Sequence, residues 1–224
     1  MMPFTGGVFA TANGTLVLSM AAAAFYGLAA SRPPTFMRAV LKTLAVGLLA
    51  VLAVMQGGPW LLVLALVLSA LGDFFLAFDG EKPFLAGLGS FLAAHVAYVA
   101  LFYFASGGQY ELLSEPWRAV IAIVMALAVL VMLAMLMRRI GPELRVPVTL
   151  YSLAIFLMGI SALTLNTFWV IAGAILFMAS DTILATEKFL VSAISPHRDW
   201  MRYAVWVLYY AGQLLITLGF LVVR

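Results

Sequence analysis

Cysteine is absent from this chain, which excludes disulfides, thiolate catalysis and cysteine-ligated metals. Imidazole is scarce: His95 and His197 are the only histidines, and His197 falls in a polar connection, so neither a metal nor a cofactor is expected. Charge is short too. Charged residues make up 9% of the 224, against ~25% in a soluble domain. No run of basic residues interleaved with aromatics occurs, so the net charge of +3 does not point to nucleic acid. Met1 to Gly14 lacks the basic stretch that opens a signal peptide, and the first apolar segment is expected to be retained as a helix.

What is abundant is hydrocarbon. Hydrophobic residues are 66% of the chain, in runs of membrane-spanning length. The chain therefore reads as an all-α integral membrane protein, one transmembrane domain over residues 1–224. Breaks in the hydropathy predict eight helices: Asn13–Ala30, Ala39–Gln56, Pro59–Phe78, Phe84–Ser106, Pro116–Met137, Val146–Leu165, Thr167–Thr186 and Tyr203–Val223. The connections carry the expected breakers, among them Arg32-Pro33-Pro34, Gly57-Gly58-Pro59, Asp79-Gly80, Gly107-Gly108 and Gly141-Pro142. Pro59 and Pro116 suit the first turn of a helix, where a missing N–H costs nothing.

Lysine and arginine orient these spans. Arg32, Arg38, Lys42, Lys82, Arg138, Arg139, Arg145, Lys188, Arg198 and Arg202 flank one set of connections, and only Arg118 and Arg224 flank the other. By the positive-inside rule the first set faces the cytoplasm and both termini face out. The expected location is a bacterial-type inner (plasma) membrane. All five tryptophans fall near predicted helix ends, as an aromatic belt should.

Against this background two aspartates stand out. Gly72-Asp73-Phe74-Phe75-Leu76-Ala77 is echoed 108 residues later by Ser180-Asp181-Thr182-Ile183-Leu184-Ala185. An ionisable group inside the hydrocarbon region costs at least ~2.5–3.5 kcal/mol and usually marks a functional path or site. Matched positions in predicted helices three and seven suggest one shared site and two parallel four-helix repeats, residues 13–106 and 116–223.

Counting helical rise from the cytoplasmic ends puts other polar residues at comparable depth. Lys42 and Tyr151 lie about a turn inside helices two and six; Tyr209, Tyr210 and Gln213 lie two to three turns into helix eight; His95 is near the midplane. These converge on a pocket open to the cytoplasmic leaflet, with Asp73 and Asp181 as catalytic candidates and the others as substrate contacts. Each has a plainer reading. The aspartates would serve as interhelical staples, Lys42 would snorkel to the interface, His95 would pack beside Phe91, Tyr98 and Phe102, and the tyrosines would anchor at the interface. Gly87-Leu88-Gly89-Ser90 reads as close helix packing, not a phosphate loop.

The motifs resemble those of the YhhN-like membrane proteins, which include the lysoplasmalogenases. The resemblance is carried by Gly72-Asp73, Ser180-Asp181-x-x-Leu184-Ala185, Gly87-x3-Phe91-x3-His95-x2-Tyr98, Gly173-Ala174-x-Leu176-Phe177 and Tyr210-x2-Gln213, with Lys42 adding the second helix. Lys42-Thr43 departs from the family's usual Lys-Pro. The resemblance implies hydrolysis of the vinyl ether bond of lysoplasmalogens to a fatty aldehyde and glycerophosphocholine or glycerophosphoethanolamine. Two neighbouring carboxylates in low dielectric do not both ionise readily, so one can donate a proton while the other stabilises a cation. The expected partners are a lysophospholipid substrate and membrane lipids; no oligomeric state is indicated. The rival reading is a proton-coupled transporter or flippase, since transporters also place carboxylates within repeated halves. Against it, the predicted third and seventh helices lack a Gly/Pro interruption. A non-catalytic scaffold would leave the twin aspartates unexplained.

Overall fold

A computed structural model describes residues 2–7 and 10–222. Among these are eight α-helices and no strand: α1 (Thr11–Leu28), α2 (Phe36–Met55), α3 (Trp60–Leu76), α4 (Glu81–Ser106), α5 (Pro116–Leu136), α6 (Pro142–Ala162), α7 (Phe168–Phe189) and α8 (His197–Leu221). A short 3₁₀ turn, Tyr110–Ser114, precedes α5. Met1, Val223 and Arg224 lie outside the described residues, and with them the predicted end of the last span and one of the two basic residues expected on the outer side.

Six of the helices are long and apolar enough to cross a membrane, so the chain is a multi-pass membrane protein. The other two are α1, whose buried face includes Asn13, Thr15 and Ser19, and α3, which is apolar but 17 residues long. At ~1.5 Å per residue α3 spans ~25 Å, a little less than the ~30 Å hydrocarbon core.

Local chemistry explains the ends. Thr35 caps α2 by accepting from the Arg38 backbone N–H at 3.2 Å, the usual service of a threonine N-cap. Gly80 (φ +123°) turns the chain between α3 and α4, and Gly107 (φ +59°) ends α4 in the left-handed region that side chains avoid. Pro116 and Pro142 take the first turns of α5 and α6, whereas Pro59 is the residue just before α3. The largest departure from expectation is at α8, which begins at His197 and not at Tyr203. His197 therefore opens a helix instead of sitting in a connection. Hydropathy misses these two turns because they are polar. They are held by Arg198 and Arg202, each 3.0 Å from Glu187 Oε1 at the end of α7, which itself runs on to Phe189. The earlier start also moves Trp206 away from any helix end. It is buried, with its indole N–H donating to Ala23 O at 2.9 Å, and so is no part of an aromatic belt.

The helices pack most extensively as α3 on α4 and α7 on α8. Small residues permit this. A Cβ at Gly173 would lie 2.7 Å from Gly212 O, and one at Gly212 would lie 2.8 Å from Gly173 O, so the two backbones touch. A Cβ at Gly72 would stand 2.6 Å from the Phe91 ring, and one at Gly87 would stand 2.6 Å from Leu76. These contacts set the aspartate ends of α3 and α7 beside the aromatic column of α4. In contrast, α5 buries only Arg118, Met125 and Leu136 and turns most of its apolar surface outward. Arg118 donates to Leu163 O at 2.5 Å and Leu165 O at 2.7 Å, covering the carbonyls that end α6. That duty, with a 2.8 Å ion pair to Glu115, accounts for a basic residue at an end of the bundle where lysine and arginine are otherwise scarce.

Candidate active site

Asp73 and Asp181 line one cavity of about 440 Å³. Each is delivered by the residue before it. Gly72 lets Phe91 lie against α3, and Ser180 donates its hydroxyl to Val205 O on α8 at 2.9 Å. The small residue of the repeated motif is thus a packing device that sets the next side chain facing inward.

The two carboxylates have different surroundings. Asp73 is 1% exposed; its Oδ1 lies 3.1 Å from Lys42 Nζ, and its Oδ2 accepts the Tyr209 hydroxyl at 2.7 Å. Lys42 is thus engaged with a carboxylate and does not snorkel. Asp181 accepts the Tyr151 hydroxyl at 2.5 Å through Oδ2. The same oxygen is 3.8 Å from His95 Nε2, too far for a direct hydrogen bond. Among the described residues no lysine or arginine pairs with Asp181.

A wall of rings fixes this geometry. Phe177 of α7 packs against His95, with ring centroids 4.9 Å apart, and against Tyr209 at 5.1 Å. Phe91 meets Tyr209 edge-on at 5.6 Å, and His95 meets Tyr151 edge-on at 5.2 Å. These aromatic contacts hold the hydroxyl and imidazole groups in single orientations.

The remaining candidates are placed differently. Gln213 is buried behind the site and accepts the Tyr98 hydroxyl at 2.5 Å. Tyr210 turns toward α1, where its oxygen is 2.8 Å from Ser19 Oγ and its ring stacks on Trp206. Neither lines the cavity, and His95 is wholly enclosed beneath it.

Several lining residues were not anticipated as site residues. Tyr26 brings its ring within 5.7 Å of the Arg38 guanidinium and 5.9 Å of Lys42 Nζ. Arg32, Arg38, Arg198 and Arg202 form a basic mouth with Lys42 and Lys188, facing the acids Asp73, Asp79, Asp181 and Glu187. The signal for Glu187 was its separation from Arg198 and Arg202 across a short connection, which becomes visible only if α7 is carried past Thr186.

A second, narrower opening of about 90 Å³ runs between α4, α5, α6 and α7. Its walls are apolar apart from Tyr151, Ser152, Thr182, Lys188 and Asp181. The two openings share Leu76, Phe84, Phe91, Asp181, Leu184 and Lys188. Asp181 therefore stands where a charged cavity meets a hydrocarbon slot, while Asp73 belongs to the charged cavity alone.

The sequence matches the YhhN family over residues 37–220, which takes in every candidate residue from Lys42 to Gln213. It is 34% identical over 167 residues to a lysoplasmalogenase of Mycobacterium tuberculosis (strain CDC 1551 / Oshkosh), a match covering 71% of this chain and 59% of that relative's length. It is 34% identical over 192 residues to the lysoplasmalogenase TMEM86B of Sus scrofa, covering 83% of this chain and 76% of the relative. The corresponding human protein is 31% identical over 175 residues, covering 77% and 69%. No solved structure matches. With a family match across most of its length, the chain belongs to the YhhN family.

Proposed function

We propose that this protein hydrolyses the vinyl ether bond of lysoplasmalogens, releasing a fatty aldehyde and glycerophosphocholine or glycerophosphoethanolamine. The relatives named as lysoplasmalogenases support the reaction class. The observation that carries the mechanism is the shared cavity of Asp73 and Asp181, with unlike partners on the two carboxylates.

In this reading Asp73, with Lys42 against one oxygen and Tyr209 donating to the other, stays a carboxylate. Asp181 lacks a cation, holds the proton and acts as general acid. It protonates the alkene carbon that belongs to the tail, and the electron pair of the double bond forms the new C–H bond. The adjacent carbon becomes an oxocarbenium ion, stabilised across the cavity by the Asp73 charge. Water adds to that carbon and returns its proton to a carboxylate, giving a hemiacetal. Collapse of the hemiacetal breaks the C–O bond, and the proton passes to the glycerol oxygen as the aldehyde leaves. Tyr151 and Tyr209 hold the two acids in place, and His95 lies within one bridging water of Asp181.

The site belongs to a single transmembrane domain, which we take as two parallel halves, residues 13–106 and 116–223. The heavily packed pairs α3–α4 and α7–α8 would correspond. The basic mouth supports a cavity open at the cytoplasmic face of an inner membrane, with both termini outside. Its arginines suit a phosphate, and the Tyr26 ring suits a quaternary ammonium. The test is to incubate purified protein with an alkenyl lysophospholipid and with its saturated alkyl-ether analogue. Aldehyde should appear only from the first, and the second should inhibit competitively. Movement of both lipids across the bilayer without aldehyde release would favour a transporter.

A further inference from the structure

The narrow slot beside Asp181 is not accounted for by catalysis. It lies in the half of the bundle that also contains the basic mouth, bounded at one end by Leu136, Val148 and Phe189 and at the other by Val129, Ile155 and Met178. Counting helical rise between these residues gives a length of ~10–16 Å. Its lining is hydrocarbon and ring surface, and it is continuous with the charged cavity at Asp181. A solute wholly polar or wholly apolar satisfies only one of the two spaces. A single-chain amphiphile satisfies both, with its head among the arginines and its head–tail junction at the aspartate.

Just past the far end of the slot sits one buried methionine. Met125 is buried, and its Cε lies where a side chain on Gly159 would begin, 1.8 Å from an ideal Cβ there. Met178 Sδ is 3.8 Å from the same point. Met125 is one turn beyond Val129 on α5, and Gly159 is one turn beyond Ile155 on α6, so the methionine seated on the glycine lies just past the last residues that line the slot. Methionine is flexible and unbranched. It also projects from α5, the least buried of the six long apolar helices.

We infer that the slot between α4, α5, α6 and α7 binds the hydrocarbon chain of the amphiphile, and that Met125 on Gly159 is the stop that sets the chain length accepted. This rests on the site's taking a single-chain lipid, as proposed above, but not on that lipid's being cleaved. Removing the Met125 side chain opens the space beside the next turn of helix, ~5.4 Å, enough for about four more methylenes. Enlarging Val129, which is half-buried and lines the slot short of the stop, shortens it.

The experiment uses purified full-length protein and ester-linked lysophosphatidylcholines of graded saturated chain length. These lack an alkenyl bond, so occupancy, read by native mass spectrometry in competition, reports the slot alone. Met125→Ala should move the preferred chain toward longer tails, with the ratio of longest to shortest bound rising severalfold. Val129→Phe should selectively lose the longest chains. If Met125→Ala lowers the melting temperature too far to purify, Val129→Phe decides the question by itself. An unchanged chain-length profile in the variants that fold would overturn the assignment. A shifted profile in a protein that releases no aldehyde from alkenyl lipids would retain the slot and refute the hydrolase. Aldehyde release with an unshifted profile would do the reverse.

Discussion

Lys42 Nζ on α2 lies 3.1 Å from Asp73 Oδ1 on α3, and this ion pair makes the two aspartates chemically unequal. Asp73 is almost fully enclosed, so removing its partner leaves a buried charge uncompensated, at a cost of about 3–5 kcal/mol. Lys42→Met should therefore lower both the melting temperature and aldehyde release, and Lys42→Arg should restore much of the stability. Thermal melting of the three proteins checks this; a methionine variant as stable as wild type would mean that the pair contributes nothing.

The tyrosines should separate by neighbour and not by sequence. Tyr209→Phe and Tyr151→Phe each remove a hydroxyl that donates to one of the two aspartates. Tyr209 donates to the charged Asp73, a hydrogen bond worth ~1.5–3 kcal/mol, so turnover should fall roughly 10–100-fold on its loss. Tyr151 donates to the protonated Asp181, a bond worth ~0.5–1.5 kcal/mol, so its loss should cost about 2–10-fold. Tyr210→Phe loses only a contact to Ser19, and its turnover should stay within a fewfold of wild type. Rates measured side by side decide it, and a Tyr210 variant as impaired as the Tyr209 variant would contradict the geometry.

Close packing of α7 on α8 predicts a steric effect. Any Cβ at Gly212 meets Gly173 O at 2.8 Å and Phe177 N at 3.1 Å, both backbone atoms that cannot swing aside. Gly212→Val should destabilise by at least ~1–3 kcal/mol and reduce activity by displacing Tyr209, one turn away. Gly89→Ala, where nothing lies within 4 Å of the added carbon, is the matched control. Melting temperatures of the pair are the readout.

The absence of native cysteine makes orientation directly measurable. Single cysteines at Ser192, beside the basic connection between α7 and α8, and at Gln109, before α5, should label from opposite sides. Impermeant maleimide applied to intact cells should modify the Gln109 position alone. Labelling at Ser192 would invert the proposed topology.

Legibility in the sequence followed how little competing signal each residue had. Asp73 and Asp181 were conspicuous because a charge in an apolar run has few innocent explanations, and both line one cavity. The eight helices were legible from hydropathy, with ends off by a few residues where polar turns extend them. Adjacent tyrosines point roughly 100° apart on a helix, but which of them meets the site is decided only by how α8 packs against α1 and α3. The Glu187–Arg198–Arg202 cluster was hidden because α8 starts six residues before its apolar run. Met125 and Gly159 gave no sequence signal, because a methionine in an apolar helix is indistinguishable from lipid-facing surface until the bundle is assembled.

The central claim is that Asp181 protonates carbon. Its most direct test is hydrolysis of an alkenyl lysophospholipid in heavy water, with the aldehyde trapped by immediate reduction and examined by mass spectrometry. The account predicts one deuterium on the carbon next to the former carbonyl, and loss of ~10²–10⁴-fold in rate for Asp181→Asn, the range for removing a general acid. Trapped product without that deuterium, or an Asp181→Asn protein that turns over at the wild-type rate, would contradict it.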